Sequence, residues 1–263
     1  MPEPAVFADG ADGADGADGA EGAVMPGGGG LRVEGLVGGY GRHPVLHGID
    51  LSLPPRRLVS LIGPNGHGKT TLLRTIAGQL KPQHGKVALD DHDLTGLGPH
   101  RVAAAGVVHV PQGDLLFSGM SVHENLLMGA YLLRDRALLE QRLEWVFGLL
   151  PKLAERRMQI ADSLSGGERR MVGIARGLMA GGKVLMLDEP SLGLAPVIID
   201  QIYDLIAMLK EDGHSILLVE ESPERVQDLA DDVLLVDNGT VAWSGAGSEL
   251  AERQELLSTY LGT

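Results

Sequence analysis

Apolar positions along the chain form short runs and helically spaced series that alternate from residue 58 onward. Alternating or continuous apolar residues predict strands at 31–37, 45–53, 58–62, 85–90, 107–112, 183–187, 215–219 and 233–236. Helically spaced apolar residues predict helices at 71–77, 166–179, 196–210 and 223–229, and through most of 122–160. This order predicts an α/β fold with a mainly parallel sheet covered on both faces. We expect the first two strands to form an added antiparallel β layer, and 122–160 to form an inserted helical lobe.

Residues 1–30 have a different composition from the rest of the chain. They contain six acidic residues and neither Lys nor Arg, and glycine recurs at every third position from Gly10 to Gly22. Such a segment has too little apolar surface to fold. We therefore expect a disordered acidic tail over 1–30 and a folded domain over 31–263. Met25 directly precedes the folded pattern, and we hypothesise that it is the natural start residue.

The overall composition excludes several classes of protein. The 263 residues carry a net charge of −13, which argues against binding to nucleic acid, and they include no cysteine for a disulfide or a thiolate metal site. No apolar run approaches the length of about 20 residues that spans a bilayer, and no secretory signal precedes the folded pattern. We therefore expect a cytoplasmic protein.

The predicted strand 58–62 leads directly into a glycine-rich turn, and a predicted helix follows. The turn matches G-x-x-x-x-G-K-[ST], the phosphate-binding loop of nucleotide hydrolases, in residues Gly63, Pro64, Asn65, Gly66, His67, Gly68, Lys69 and Thr70, followed by Thr71. Backbone N–H groups and the start of the helix would bind phosphate, with Lys69 at the β- and γ-phosphates. Thr70 would place its hydroxyl on Mg²⁺, and we expect His67 to point outward. The alternative is a glycine-rich turn with an exposed lysine.

A second strand ends in two acidic residues that suit the same chemistry. Four apolar residues precede Asp188 and Glu189. Asp188 at the strand tip would join the Mg²⁺ shell, and Glu189 is the candidate catalytic base for the attacking water. The alternative is a solvated acidic turn. The presence of a phosphate loop in the same chain favours the Mg²⁺ and base roles over this alternative.

A further motif combines a capping serine with glycines at the start of a helix. It reads Leu164, Ser165, Gly166, Gly167, Glu168, and it forms a second anion site that lacks a lysine. With the phosphate loop, it resembles the L-S-G-G-[EQ] signature of the ATP-binding cassette (ABC) family over roughly residues 31–245. The resemblance implies a P-loop NTPase core, and two cassettes packed head to tail so that this signature contacts the ATP of the partner.

The resemblance also assigns roles to residues outside these motifs. It implies that Tyr40 stacks on adenine, and that Gln112 links the metal site to a membrane partner through a helical subdomain at about 113–165. Most cassettes place a histidine at a switch position after the strand 215–219, where this chain has Glu221. A second carboxylate near Glu189 and phosphate would be repelled, so we expect Glu221 to turn away from the phosphate.

Three sequence segments are similar to the second ATPase subunit of branched-chain amino-acid importers: 39–47, 125–131 and 189–196. This similarity implies an ATPase on the inner face of the cell membrane. Its partners would be a second cassette, integral membrane permease subunits and an extracytoplasmic solute-binding protein. The alternatives are a urea or short-amide importer, a non-transport ABC ATPase and a regulatory nucleotide-binding subunit.

Overall fold

The computed structural model describes residues 29–113 and 115–252. Met25 and all but the last two residues of the expected acidic tail lie outside these ranges. The strands are Leu31–Tyr40 (β1), His43–Leu53 (β2), Leu58–Ile62 (β3), Pro82–Leu89 (β4), His92–Asp93 (β5), Val107–Val110 (β6), Val184–Asp188 (β7), Ser215–Val219 (β8), Asp232–Asp237 (β9) and Thr240–Ala246 (β10). The α-helices are Lys69–Ile76 (α1), Pro99–Ala105 (α2), Val122–Gly129 (α3), Arg136–Leu149 (α4), Pro151–Glu155 (α5), Gly166–Ala180 (α6) and Pro196–Glu211 (α7). Among the described helices, none combines the length and apolar character that crossing a bilayer requires.

The strands form two sheets. One is antiparallel, with the order β2-β1-β4-β5, and the other has six strands in the order β10-β9-β3-β8-β7-β6. In the larger sheet, β3, β6, β7, β8 and β9 run parallel, and only β10 is antiparallel to its neighbour. The predicted α/β fold, with a mainly parallel sheet and an added antiparallel layer, is therefore confirmed.

Two hydrophobic cores lie on opposite faces of the larger sheet. Along β3, Leu58 and Ile62 face the core that contains α6, α7 and the helical lobe formed by α3, α4 and α5. Val59 and Leu61 face the second core, which packs against α1 and the antiparallel sheet. Because side chains alternate along a strand, an apolar run of this kind can serve both cores.

Several predicted elements were wrong in extent. The helix predicted at 223–229 is a short 3₁₀ helix, Pro223–Arg225, whose backbone bonds begin with i→i+3 pairs. The predicted lobe is broken where Asp135 caps the start of α4 and where Pro151 follows Leu150, because a residue before proline avoids the helical region. The weakly patterned elements α2, β5 and β10 were not predicted.

A buried amide fixes the loop that leads into the helical lobe. Asn125 on α3 is fully buried, and its Oδ1 accepts a hydrogen bond of 2.9 Å from the backbone N–H of Phe117. Its Nδ2 donates to the carbonyls of Phe117 at 3.1 Å and Ser121 at 3.0 Å. One side chain therefore satisfies backbone groups on both sides of the turn before α3.

We predict that Asn125→Ala lowers the free energy of unfolding by about 2 kcal/mol, because it leaves part-buried backbone groups without partners. Urea unfolding followed by circular dichroism measures this change. Gln141→Ala on the exposed face of α4 is the control and should change the free energy by less than about 0.5 kcal/mol. Equal effects of the two substitutions would contradict the structural role of Asn125.

Candidate active site

The phosphate loop lies between the end of β3 and the start of α1, as predicted. Gly63 has φ +147°, and a Cβ at this position would collide with the carbonyl oxygen of Val236. Gly68 caps α1 with φ +104°, in the left-handed region that favours glycine. These two glycines let the loop turn sharply and approach the neighbouring strand closely.

The ammonium group of Lys69 is buried inside this loop, with 4% of the residue exposed. Its Nζ donates to the carbonyl of Gly63 at 2.6 Å and to that of Pro64 at 3.0 Å. It also lies 4.0 Å from Oε1 of Glu189. Burial lowers the pKa of Lys69, and the nearby carboxylates, first Glu189 and then Glu221, oppose that shift. Lys69 is therefore a buried cation held by backbone dipoles and facing carboxylates.

Two pairs of side chains connect the end of β7 to its neighbours, one to the phosphate loop and one to the loop that follows β6. The Thr70 hydroxyl donates to Oδ1 of Asp188 at 3.1 Å, and Nε2 of Gln112 donates to Oε2 of Glu189 at 2.9 Å. The other carboxylate oxygen of Asp188, Oδ2, is buried and has no hydrogen-bond partner. Burial raises the pKa of both carboxyl groups; Thr70 opposes the shift at Asp188, and Lys69 opposes it at Glu189.

An open cavity of about 290 Å³ joins these groups. Its lining consists of Asn65, Gly66, Gly68, Lys69, Thr70, Thr71, Gln112, Glu189, Leu192 and Glu221. Six of the nine residues predicted from the phosphate loop therefore line one polar cavity together with Gln112, Glu189 and Glu221, whereas Gly63, Pro64 and His67 do not. Asp188 is not part of the lining and is hydrogen-bonded to Thr70.

Glu221 contradicts the sequence-based expectation. It lines this cavity rather than turning away from it, and its Oε1 is buried without a hydrogen-bond partner. The negative charge of Glu221 opposes the lowering of the Lys69 pKa by burial. The same charge adds to the rise of the Glu189 pKa. The expectation rested on repulsion from Glu189 and from phosphate, whereas in the structure the buried Lys69 ammonium offsets part of the repulsion between the two carboxylates.

His67 and Tyr40 lie outside the cavity lining. As expected, the His67 side chain turns outward, with Nδ1 2.8 Å from Oδ1 of Asp237 at the β9–β10 turn. Tyr40 ends β1 with 48% of the residue exposed, and its hydroxyl accepts a 3.0 Å hydrogen bond from Arg74. Stacking of Tyr40 on adenine stays a prediction.

The signature motif forms a separate site at the start of α6. Ser165 caps the helix, and its hydroxyl accepts from the backbone N–H of Glu168 at 3.3 Å. The Glu168 carboxylate accepts from the backbone N–H of Ser165 at 2.9 Å and lies 3.1 Å from Arg156. Ser165, Gly167 and Glu168 line a cleft against α5 and α7, so a single chain does not bring the signature to its own phosphate loop.

The sequence analysis missed His109, which lies beside the site on β6. Its Nε2 is buried without a hydrogen-bond partner, 3.9 Å from Oδ2 of Asp188. Burial, assisted by Arg74, lowers the pKa of His109 to about 4, so the ring is neutral at pH 7. The available signal was its place on the strand that leads to Gln112, three residues earlier.

The ABC transporter family model matches residues 46–192, more than half of the chain. The chain belongs to this family. A similar relative is the high-affinity branched-chain amino acid transport ATP-binding protein BraG of Pseudomonas aeruginosa, 37% identical over 85% of this chain and 95% of that protein. The probable branched-chain amino acid transport ATP-binding protein LivF of Archaeoglobus fulgidus is 34% identical over 88% of this chain and 98% of that protein.

A solved structure matches the fold of this ABC protein over most of both chains. The ADP conformation of MJ1267, an ATP-binding cassette of an ABC transporter, has a TM-score of 0.79 and 27% identity, over 90% of this chain and 100% of that one. This ABC protein is therefore an ATPase cassette.

We predict that Glu221→Gln tightens ATP binding by about fivefold, because one negative charge a few ångströms from phosphate contributes on the order of 1 kcal/mol of repulsion. Isothermal titration of the full-length chain with ATP and Mg²⁺ measures the affinity. Glu224→Gln removes the same charge from an exposed position and should leave affinity unchanged. Weaker binding by Glu221→Gln would mean that the carboxylate assists nucleotide binding.

Proposed function

We propose that this chain is the ATP-hydrolysing subunit of an importer for branched-chain amino acids. The observation that carries the choice of solute is its 37% identity to BraG, which covers 95% of that transport subunit. At least one relative with another solute is less similar than BraG. The lipopolysaccharide export ATP-binding protein LptB of Haemophilus influenzae, for example, is 30% identical over 88% of this chain.

The phosphate loop is the proposed binding site for the β- and γ-phosphates of ATP. Lys69 now donates to the carbonyls of Gly63 and Pro64, and phosphate oxygens would be stronger acceptors for the same ammonium. Backbone N–H groups at the start of α1 add partial positive charge. The negative charge of the ATP phosphates would thereby stabilise the Lys69 ammonium, whose charged form burial disfavours.

Thr70 and Asp188 are the proposed Mg²⁺ ligands, together with Gln112. Their oxygens are hard donors, and the buried, unpartnered Oδ2 of Asp188 is free to accept a further partner. Within residues 29–113 and 115–252, no group of three or more His, Cys, Asp or Glu forms a metal cage of its own. This suits a cation that is shared with ATP, because Mg²⁺ in such sites takes one or two protein ligands plus phosphate oxygens and water. When bound, Mg²⁺ neutralises charge on the phosphates.

Glu189 is the proposed general base for the attacking water. Gln112 donates to one of its carboxylate oxygens, which leaves the other directed to the cavity near Lys69. Burial raises its pKa, and a raised proton affinity makes the carboxylate a better base at neutral pH. Its φ of +46° places it in the left-handed region, so the end of β7 holds this side chain at a strained turn.

Full assembly of the proposed site requires a second cassette. Ser165, Gly166, Gly167 and Glu168 lie outside the phosphate-loop cavity, and they are proposed to contact the ATP held by the partner. Closure would be transmitted to membrane permease subunits through Gln112 and a helical subdomain at 113–165. We place the assembly on the cytoplasmic face of the membrane, with an extracytoplasmic binding protein that delivers the solute.

Uptake by the assembled transporter tests this proposal. The chain would be produced with permease, second-cassette and solute-binding subunits from its own organism, and reconstituted in vesicles with ATP inside. We expect ATP-dependent uptake of labelled leucine, isoleucine and valine. The control Glu189→Gln should assemble normally and lose uptake by about a hundredfold, because it lacks the base.

The same vesicles distinguish the alternatives. ATP-dependent uptake of urea or a short amide, with no uptake of leucine, would overturn the solute assignment and keep the transport function. Hydrolysis without uptake of any tested solute would contradict the proposal of an importer.

A further inference from the structure

Three segments of the chain meet around one buried carboxylate behind the nucleotide cavity. Glu220 directly precedes Glu221 and accepts a hydrogen bond from Ser191 in the turn after β7. Tyr203 on α7 and Arg225 in the 3₁₀ helix after β8 lie close enough to lower the pKa of Glu220, against the larger effect of burial. None of Glu220, Ser191, Tyr203 and Arg225 lines the cavity. The proposed reaction gives this cluster no role.

The bond between Ser191 and Glu220 is buried, and the bond between Ser191 and Arg225 is part-buried. The Ser191 hydroxyl donates to Oε2 of Glu220 at 3.0 Å and accepts from Nη1 of Arg225 at 2.6 Å. Ser191 and Glu220 are each only 2% exposed. A single hydroxyl therefore joins a buried carboxylate to a guanidinium, and removal of either partner would leave a buried polar group unsatisfied.

The cluster joins two turns that carry cavity residues. We call residues 189–192 the β7 turn and residues 220–222 the β8 turn. Glu189 and Leu192 of the β7 turn line the cavity, and so does Glu221 of the β8 turn. The backbone N–H of Glu189 donates to the carbonyl of Val219 at 3.0 Å, so the two turns also touch at their start.

The connection between the two turns matters for the backbone conformation of Glu189, because the φ angle of this residue is positive. A non-glycine residue in the left-handed region keeps that conformation only where its surroundings hold it. Within the β7 turn, the N–H of Leu192 bonds to the carbonyl of Glu189 at a long 3.3 Å. The buried Ser191–Glu220 bond adds a restraint from outside the turn, because it joins the β7 turn to the β8 turn.

We propose that Glu220 is a positioning residue for ATP hydrolysis. Through Ser191 it holds the β7 turn against the β8 turn, and it thereby fixes Glu189 relative to Glu221 and the attacking water. The inference rests on the proposed role of Glu189 as the base. Because Glu220 does not reach the cavity, its loss should affect turnover and leave ATP binding intact.

A double-mutant cycle in the purified transporter tests this role. We expect Glu220→Gln and Ser191→Ala each to lower kcat for ATP hydrolysis about tenfold, with KM for ATP changed by less than about twofold. The double variant should be no worse than the more severe single variant, because both substitutions break the same bond. Asp228→Asn is the matched control: it removes an exposed carboxylate eight residues further along and should keep the kcat of the unmodified protein.

Thermal unfolding of each variant separates positioning from stability. If Glu220→Gln does not fold, Ser191→Ala still tests the bond, since it removes one hydroxyl. Unchanged kcat in Ser191→Ala, additive losses in the double variant, or a parallel rise in KM would each overturn the proposal. Glu189→Gln is measured alongside. If its turnover is unchanged, the base assignment fails; if it loses turnover while the Ser191 and Glu220 variants keep theirs, only the positioning role fails.

Discussion

The buried ammonium of Lys69 is the constraint on which the site depends. An isolated cation in a protein interior is strongly disfavoured, and this one is stabilised by two loop carbonyls and by the carboxylates that face it. The glycines of the loop place those carbonyls within reach. Glu189, 4.0 Å from the ammonium, and Glu221, which lines the cavity, carry the negative charges that offset the charge of Lys69. The phosphates of ATP would add further negative charge at the same place. In the proposed site, binding and catalysis would therefore be coupled through the same few groups.

The fold brings these groups together because parallel strands end at the same edge of a sheet. β3 leads to the phosphate loop, β7 ends in Asp188, and β8 leads to Glu220 and Glu221. These three strands are neighbours in the order β3-β8-β7, so the loops that follow them lie side by side. Two separate cores on opposite faces hold this edge in place.

Local sequence predicted the parts of the site that depend on adjacent residues. The phosphate loop and the Asp188–Glu189 pair were predictable because glycine spacing and a strand tip fix their geometry within a few residues. The orientation of Glu221 was not, since it depends on Lys69, which is 152 positions earlier in the chain. The Ser191–Glu220 bond spans 29 residues, and no local pattern encodes it. The helix predicted at 223–229 is shorter than its apolar spacing indicated, and only Pro223–Arg225 forms a 3₁₀ helix.

The most direct test of the account is the ATP affinity of Lys69→Ala, measured by isothermal titration of the full-length chain in the presence of Mg²⁺. We expect the Kd for ATP to rise about thirtyfold, the loss that corresponds to one charge-assisted contact of about 2 kcal/mol. Lys152→Ala, which removes an exposed lysine from α5, should leave the Kd unchanged. An unchanged Kd in Lys69→Ala would contradict the assignment of this cavity as the nucleotide site.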